Sequence, residues 1–282
     1  MNKIFYIISA FILVALFSAC EPIVNPVEMG AIITSADELQ ATVTPVMDGT
    51  KKTNKVIVNC TSPVSCQWTD GVKSYVSNNT EMVLFVTGNI DITLNAMTAD
   101  GTILTKKFTT TVDEIKFPVE PQYGYFCGSG VKTWVWAVDN NYSGDHKIWG
   151  NGAAGANDYP GWWGRTAADA AGDNIDVTGK MVFTLNGLKF SRTENGVTTN
   201  GIFAFDMTTH KYKSSIGSIT FTGTTILHGI SQNNGKKVVY TFDIKKLTND
   251  EMVLMYPTDT YDPGNDWGEG WFWMFKREGY TY

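Results

Sequence analysis

The tightest constraint on the fold is a repeated unit: a short run of alternating apolar and polar residues beside an Asp-Gly or Asn-Gly pair. Such pairs fall at 70–71, 100–101, 186–187 and 195–196. These residues supply the positive φ angles of tight hairpin turns, and flanking runs of period two are strands with one buried face. Between residues 31 and 113, KVIVN (55–59), SCQWTD (65–70), EMVLFVT (81–87), IDITLNAM (90–97) and the run 102–112 belong to a set of about seven short strands, which suits a two-sheet sandwich. From residue 123 onward the runs are clearer: TWVWAV (133–138), KMVFTL (180–185), 189–193, IFAFDM (202–207), 218–222 with 225–228, KKVVYTFDIKK (236–246), EMVLMY (251–256) and WFWMFKR (271–277). They make about eight or nine antiparallel strands, with a hint of helix at 166–171 only. Such a meander avoids open edges by closing into a barrel or stacking as a sandwich. The expected fold is all-β: a sandwich over 31–113, a linker over 114–122 marked by Pro118 and Pro121, and a barrel or second sandwich over 123–282.

The first residues predict export. Lys3 precedes an apolar run over 4–17, too short to cross a bilayer comfortably and right for the core of a signal peptide. The run ends in Phe17-Ser18-Ala19-Cys20, small residues before a cysteine that would be lipidated once 1–19 are removed; the alternative is an ordinary secretory signal with Cys20 incidental. Residues 20–30, broken by Pro22 and Pro26, read as a tether. Exported proteins can oxidise cysteine pairs. Cys60 and Cys66 flank a possible hairpin bend and could be bonded or free, which leaves Cys127 a lone buried thiol. The net charge is −6 with no basic cluster, which argues against nucleic acid, since neutralising phosphates needs such clusters. Neither CxxC nor HExxH occurs, so no metal site is expected from spacing.

Eight of the nine Trp lie after residue 123. Trp134, Trp136, Trp271 and Trp273 sit in strand runs, and one of each pair is expected to face the core and the other the opposite face. Trp149, Trp162 and Trp163 fall instead in a Gly- and Asn-rich stretch that reads as long loops. Trp162 and Trp163 are adjacent, so they point opposite ways and only one is expected to be a free platform. Sugar rings present apolar C–H faces and polar edges, which an aromatic ring with amide, carboxylate or guanidinium neighbours can satisfy. The candidate ligand contacts are Trp149, Asn151, Asn157, Asp158, Trp162, Trp163 and Arg165, expected to meet a second loop carrying Asp266, Trp267, Glu269 and Trp271.

Catalysis finds less support. No GxSxG occurs, and His146, His210 and His228 read as ordinary surface or hydrogen-bonded histidines. Asp139, Asp145, Asp158, Asp266 and Glu269 are loop carboxylates with no hydrolase signature around them; they fit sugar contacts or calcium as well as acid–base work. The segment 259–269 is dense in hard oxygen ligands and could take calcium, although Asp- and Asn-rich turns have the same composition for backbone reasons.

Two resemblances extend this reading. QWTDG (67–71) and the hairpin ITLNAMTADGTILTKKFTTTV (92–112) resemble PKD/immunoglobulin-like modules, without their full WDFGDG pattern; this implies a spacer lifting the next domain off a membrane. TWVWAVD, IWGNG, PGWWG and DWGEGWFWMFK, in that order over 132–282, resemble the C-terminal domains of SusE/SusF-like surface glycan-binding lipoproteins of Bacteroides-type bacteria, and LTNDEMVL (247–254) resembles a hairpin of their lipocalin-like relatives. The family would imply a lipocalin-like or jelly-roll-like C-terminal domain and a non-catalytic, lipid-anchored protein that captures polysaccharide or oligosaccharide at the outer membrane beside a TonB-dependent transporter. It would also imply the cell surface more than the periplasmic face, although only Glu21 supplies the acidic run that surface members carry after the lipidated cysteine. The competing functions are a lipocalin-like binder of an apolar ligand inside the barrel, and a glycoside hydrolase.

Overall fold

The computed structural model describes residues 33–282 apart from 143, 210, 211, 213, 233, 234, 259–261 and 263–267. The signal peptide, the whole tether and Cys20 therefore lie outside the described residues. So do His210, Asp266, Trp267 and most of the segment considered for calcium. Among the described residues, no helix is long and apolar enough to cross a membrane.

The described chain is all-β. A capped 3-10 turn at Ala36–Glu38 leads into β1 (Ala41–Asp48), β2 (Lys51–Cys60), β3 (Ser65–Thr69), β4 (Ser74–Val76), β5 (Asn79–Val83), β6 (Gly88–Met97) and β7 (Ile103–Val112). They form two sheets, β1-β2-β5 and β4-β3-β6-β7, all antiparallel. Alternation sets the buried face: Val56 and Val58 on β2, Met82 on β5, Trp68 on β3, and Ile92 and Leu94 on β6 are all fully buried. The Trp68 indole donates to the Ser77 carbonyl and is a core residue. Cys60, Cys66 and Cys127 are free, buried thiols. Burial and the neighbouring Cys60 push the Cys66 thiol up to about 12, and burial does the same for Cys127.

The segment read as a linker is pinned at both ends. Asn54 is fully buried; its Nδ2 donates to the Leu84 and Phe117 carbonyls, and its Oδ1 accepts from the Lys116 and Phe117 amides at 2.9 and 2.8 Å. The rest of the segment runs into α1 (Pro121–Cys127), which the two prolines obscure in the sequence because Pro121 takes the first helical position. Asn54→Ala orphans four backbone groups, each worth about 1 kcal/mol or more when left unpaired in the interior. We expect urea unfolding to show a loss of about 2–4 kcal/mol, against a negligible change for a surface amide.

Twelve strands follow: β8 (Val131–Trp136), β9 (Trp149–Ala153), β10 (Trp163–Arg165), then after α2 (Ala167–Gly172) β11 (Lys180–Thr184), β12 (Lys189–Glu194), β13 (Val197–Asp206), β14 (Gly217–Thr222), β15 (Ile230–Ser231), β16 (Lys237–Val238), β17 (Thr241–Leu247), β18 (Glu251–Pro257) and β19 (Glu269–Arg277). Eight of them form an up-and-down barrel in the order β8-β11-β12-β13-β14-β17-β18-β19, closed by β19 pairing back onto β8. The hairpin β12–β13 turns on Asn195 and Gly196, at φ of 51° and 74°, the pair of positive angles a two-residue turn needs. The run 225–228, expected as strand, is loop.

Inward positions are filled by rings. Phe183 contacts Phe126, Phe190, Phe203 and Phe221 at centroid distances of 4.9–6.0 Å, and Phe242 meets Trp273 edge-on at 5.4 Å. Trp134 and Trp136 both point inward, as do Trp271 and Trp273, because residues two apart on a strand share a face; the expectation of one in and one out is corrected. The three fully buried indoles each donate to a carbonyl of a segment that closes the barrel: Trp134 to Phe126 on α1, Trp136 to Asp176, and Trp273 to His228. Lys132 reaches the Gly124 and Tyr125 carbonyls and so holds the C-terminal end of α1 at its mouth. The outer face of β18 and β19 is also covered: Val253, Met255, Phe272 and Met274 pack with Ala137, Ala154 and Tyr212. Burial on both faces explains why EMVLMY and WFWMFKR are continuous apolar runs.

Sandwich and barrel share one core cluster through Phe85, whose ring lies 4.3 Å from Tyr123, which in turn meets Phe205 on β13. The Gly187 amide donates to the Gly71 carbonyl at 2.7 Å, and a Cβ on Gly71 would collide with the Asn186 side chain. Two of the turn pairs seen in the sequence therefore pack against each other.

Candidate functional site

Residues 149–165, expected as loop, contain two strands. β9 pairs with β19 beyond the point where β19 joins β8, and β10 pairs with β9. Glycine allows this. A Cβ on Gly150 would lie 2.2 Å from the Trp163 carbonyl oxygen and 2.4 Å from the Gly164 Cα, so only glycine lets the two backbones approach. The glycines that suggest loop in the sequence are thus what permits the sheet.

Register then decides which side chains meet. Trp149 stands opposite Trp273, Asn151 opposite Trp271, and Trp163 opposite Asn151. Trp149, Asn151, Trp163, Arg165, Glu269 and Trp271 therefore share one face, which continues the barrel's inner surface past its mouth. Trp149 lies 5.7 Å from Trp271 and 5.4 Å from Trp163, the latter edge-on, and Trp163 meets Trp271 at 6.0 Å. Trp149 and Trp271 are 3% and 5% exposed, while Trp163 is 43% exposed and forms the open side of the cluster.

The opposite wall comes from residues that the sequence reading did not single out as ligand contacts. A cleft of about 420 Å³ lies between Trp149, Trp163 and Arg165 on one side and Asp173, Ile175, His228, Ile230, Gln232 and Lys236 on the other. Arg165 stacks its guanidinium 5.0 Å from the Trp163 ring and pairs with Asp173, just past α2, at 2.8 Å. A capping box between Thr166 and Asp169 starts α2 and fixes that span. His228 sits 4.6 Å from Trp149 at a φ of 49°, and the Gln232 amide nitrogen lies 3.4 Å from its Nε2. His228 and Gln232 flank β15, whose two-residue ribbon with β16 is too short to leave a pattern in the sequence; the signal for His228 is its place between two barrel strands.

The expected ligand contacts divide. Trp149, Trp163 and Arg165 line the cleft and Trp271 backs it. Asn151 and Glu269 bond each other, and Asn151 Oδ1 accepts from the Trp163 amide at 3.1 Å, so both hold the platform strand in place rather than face a ligand. Trp162 is 48% exposed, but its neighbour's register turns it away from the cleft. Asn157 and Asp158 lie in the turn between β9 and β10, away from the cleft, with Asp158 exposed 3.9 Å from the Lys245 ammonium. Three carboxylates considered for catalysis are engaged in ion pairs: Asp139 with Lys276, Asp145 with Lys147, and Asp158 with Lys245. No cluster of His, Cys, Asp and Glu among the described residues is arranged to hold a metal ion.

Two properties of the cleft bear on binding. The buried indole N–H groups of Trp149 and Trp271 have no acceptor among the described residues, an unusual state for donors removed from water. Burial lowers the His228 imidazole to about 4, overriding the pull of Asp173 in the other direction, so it is neutral at physiological pH. An unfolded chain protonates this histidine near 6.5 and the native one near 4. Between those values the unfolded state binds more protons, so His228 costs stability as pH falls, up to about 1.4 kcal/mol per unit. We expect His228→Gln to flatten the acid side of a stability–pH profile between those limits while leaving the profile above pH 7 parallel to the parent.

No family model matches the chain, and no curated protein matches it either.

Proposed function

We propose that the protein is a non-catalytic carbohydrate-binding protein, held at the outer membrane through lipid on Cys20, that captures polysaccharide or oligosaccharide for uptake through a neighbouring transporter. The observation that carries this reading is the half-exposed Trp163 ring, set edge-on to two buried tryptophans and flanked by Arg165, at the mouth of an open cleft with polar groups on its far wall. An aromatic face for the ring and polar groups for the hydroxyls is the mixed lining that a sugar needs. The apolar-ligand alternative requires space inside the barrel, where the inward rings are in mutual contact. The membrane anchor, the Bacteroides-type setting and the partner transporter rest on the sequence motifs around Cys20 and over 132–282. Affinity electrophoresis through gels containing a panel of neutral and acidic polysaccharides tests the reading. Retardation by at least one polymer is expected; migration unchanged in every gel would refute it.

A further inference from the structure

Resting on that reading, we propose that the sugar this cleft takes is acidic, presenting a carboxylate or a sulfate ester to Trp149, Arg165 and Lys236. The argument is one of unmatched donors. Trp149 lines the cleft, and its indole N–H is buried and meets no acceptor among the described residues. A donor kept from water without a partner is costly unless a ligand completes it. Arg165 is ion-paired with Asp173, its Nη2 donating at 3.4 Å, while its buried Nε makes no hydrogen bond and its guanidinium carbon lies 5.0 Å from the centre of the Trp163 ring. Lys236 stands exposed on the rim and pairs with no carboxylate among the described residues. Among the described lining residues Asp173 is the single carboxylate and is already spent on Arg165, and His228 is neutral and beside Gln232. The described lining thus carries one more cation than anions in a chain of net charge −6. A neutral hydroxyl brings a donor that has few acceptors to meet here. An oxyanion brings acceptors only, and bonds from charged or indole donors to it are the stronger kind.

Isothermal titration of the mature protein at low ionic strength tests this, with oligogalacturonate, its methyl ester, a carrageenan oligosaccharide (sulfate esters without carboxylates) and a neutral malto-oligosaccharide as probes. We expect one of the two acidic probes to bind, which separates carboxylate from sulfate recognition. Lys236→Gln is expected to weaken that binding about 5–10-fold, in line with loss of one charge-assisted contact, and added salt to weaken the parent more than the variant. If oligogalacturonate is the ligand, its methyl ester is expected to bind at least about tenfold more weakly. If the neutral probe binds as well as the acidic ones, and Lys236→Gln changes nothing, the acidic-sugar inference is overturned. The carbohydrate reading then survives provided Trp163→Ala abolishes that binding. If none of the four probes binds, the inference falls whatever the polysaccharide gels show, and the broader reading falls only if those gels are silent as well.

Discussion

Trp273→Ala is expected to be the most destabilising single substitution on the barrel side of the site, costing about 3–5 kcal/mol. The side chain is fully buried, meets Phe242 edge-on at 5.4 Å, and stands opposite Leu254 on β18. Truncation leaves a cavity that neighbouring strands cannot close, because β19 is paired on both sides along its length. It also removes the indole bond to the His228 carbonyl at 2.8 Å, leaving that oxygen only the Ile230 amide at 2.7 Å. A loss of that size is a large part of the total stability of an ordinary domain, about 5–15 kcal/mol. The hydrogen bond can be separated from the packing. Trp273→Phe keeps a ring and removes the donor, so urea titration should place it about 1–2 kcal/mol below the parent and well above the alanine variant. If both variants unfold within 0.5 kcal/mol of the parent, as surface changes do, the barrel does not rest on this residue.

Trp163→Ala should do the reverse, costing less stability and removing binding. Its ring is 43% exposed, so its loss should lower the unfolding free energy by about 1–3 kcal/mol, less than the loss of the fully buried Trp273. The ring nevertheless supplies the open aromatic face of the cleft and the surface on which Arg165 lies. Central aromatic anchors of this kind typically carry 2 kcal/mol or more of a binding energy, so affinity for the captured glycan should fall at least about 30-fold. Trp162→Ala is the internal control. It removes a ring of similar exposure one residue away, on the far side of the strand, and should leave affinity unchanged. Two adjacent tryptophans with opposite outcomes would be hard to explain by general stickiness.

The hairpins and the all-β class were legible because they depend on local chemistry. Asn195-Gly196 can take its two positive φ angles without help, and period-two alternation reports one buried face. The doubly buried strands β18 and β19 were legible as strands, although nothing local tells that the 137–154 segment covers their outer face. Residues 149–165 failed for a physical reason. Gly150 and Gly164 lower strand propensity, yet here they let β9 and β10 approach closely enough to pair. Of the expected ligand contacts, Trp149, Trp163, Arg165 and Trp271 come together because β9 adds to β19 in a register that aligns them. His228, Gln232 and Lys236 could not be foreseen, since they reach the cleft through a loop held by the Trp273 indole 45 residues further along the chain. Asn151 and Glu269 look like ligand contacts by residue type, but are spent on each other.

The indole N–H resonances of a 15N-labelled sample offer the most direct test of the cleft as the glycan site, followed while the retarding polysaccharide's oligosaccharide is titrated in. Trp149 and Trp163 should shift most, with Trp149 gaining protection from solvent exchange as its unpaired N–H acquires an acceptor. Trp68, Trp134 and Trp136, each already bonded to a backbone carbonyl, should stay in place. Shifts confined to Trp162, or to the core indoles, with Trp149 and Trp163 unmoved at saturation, would contradict the account.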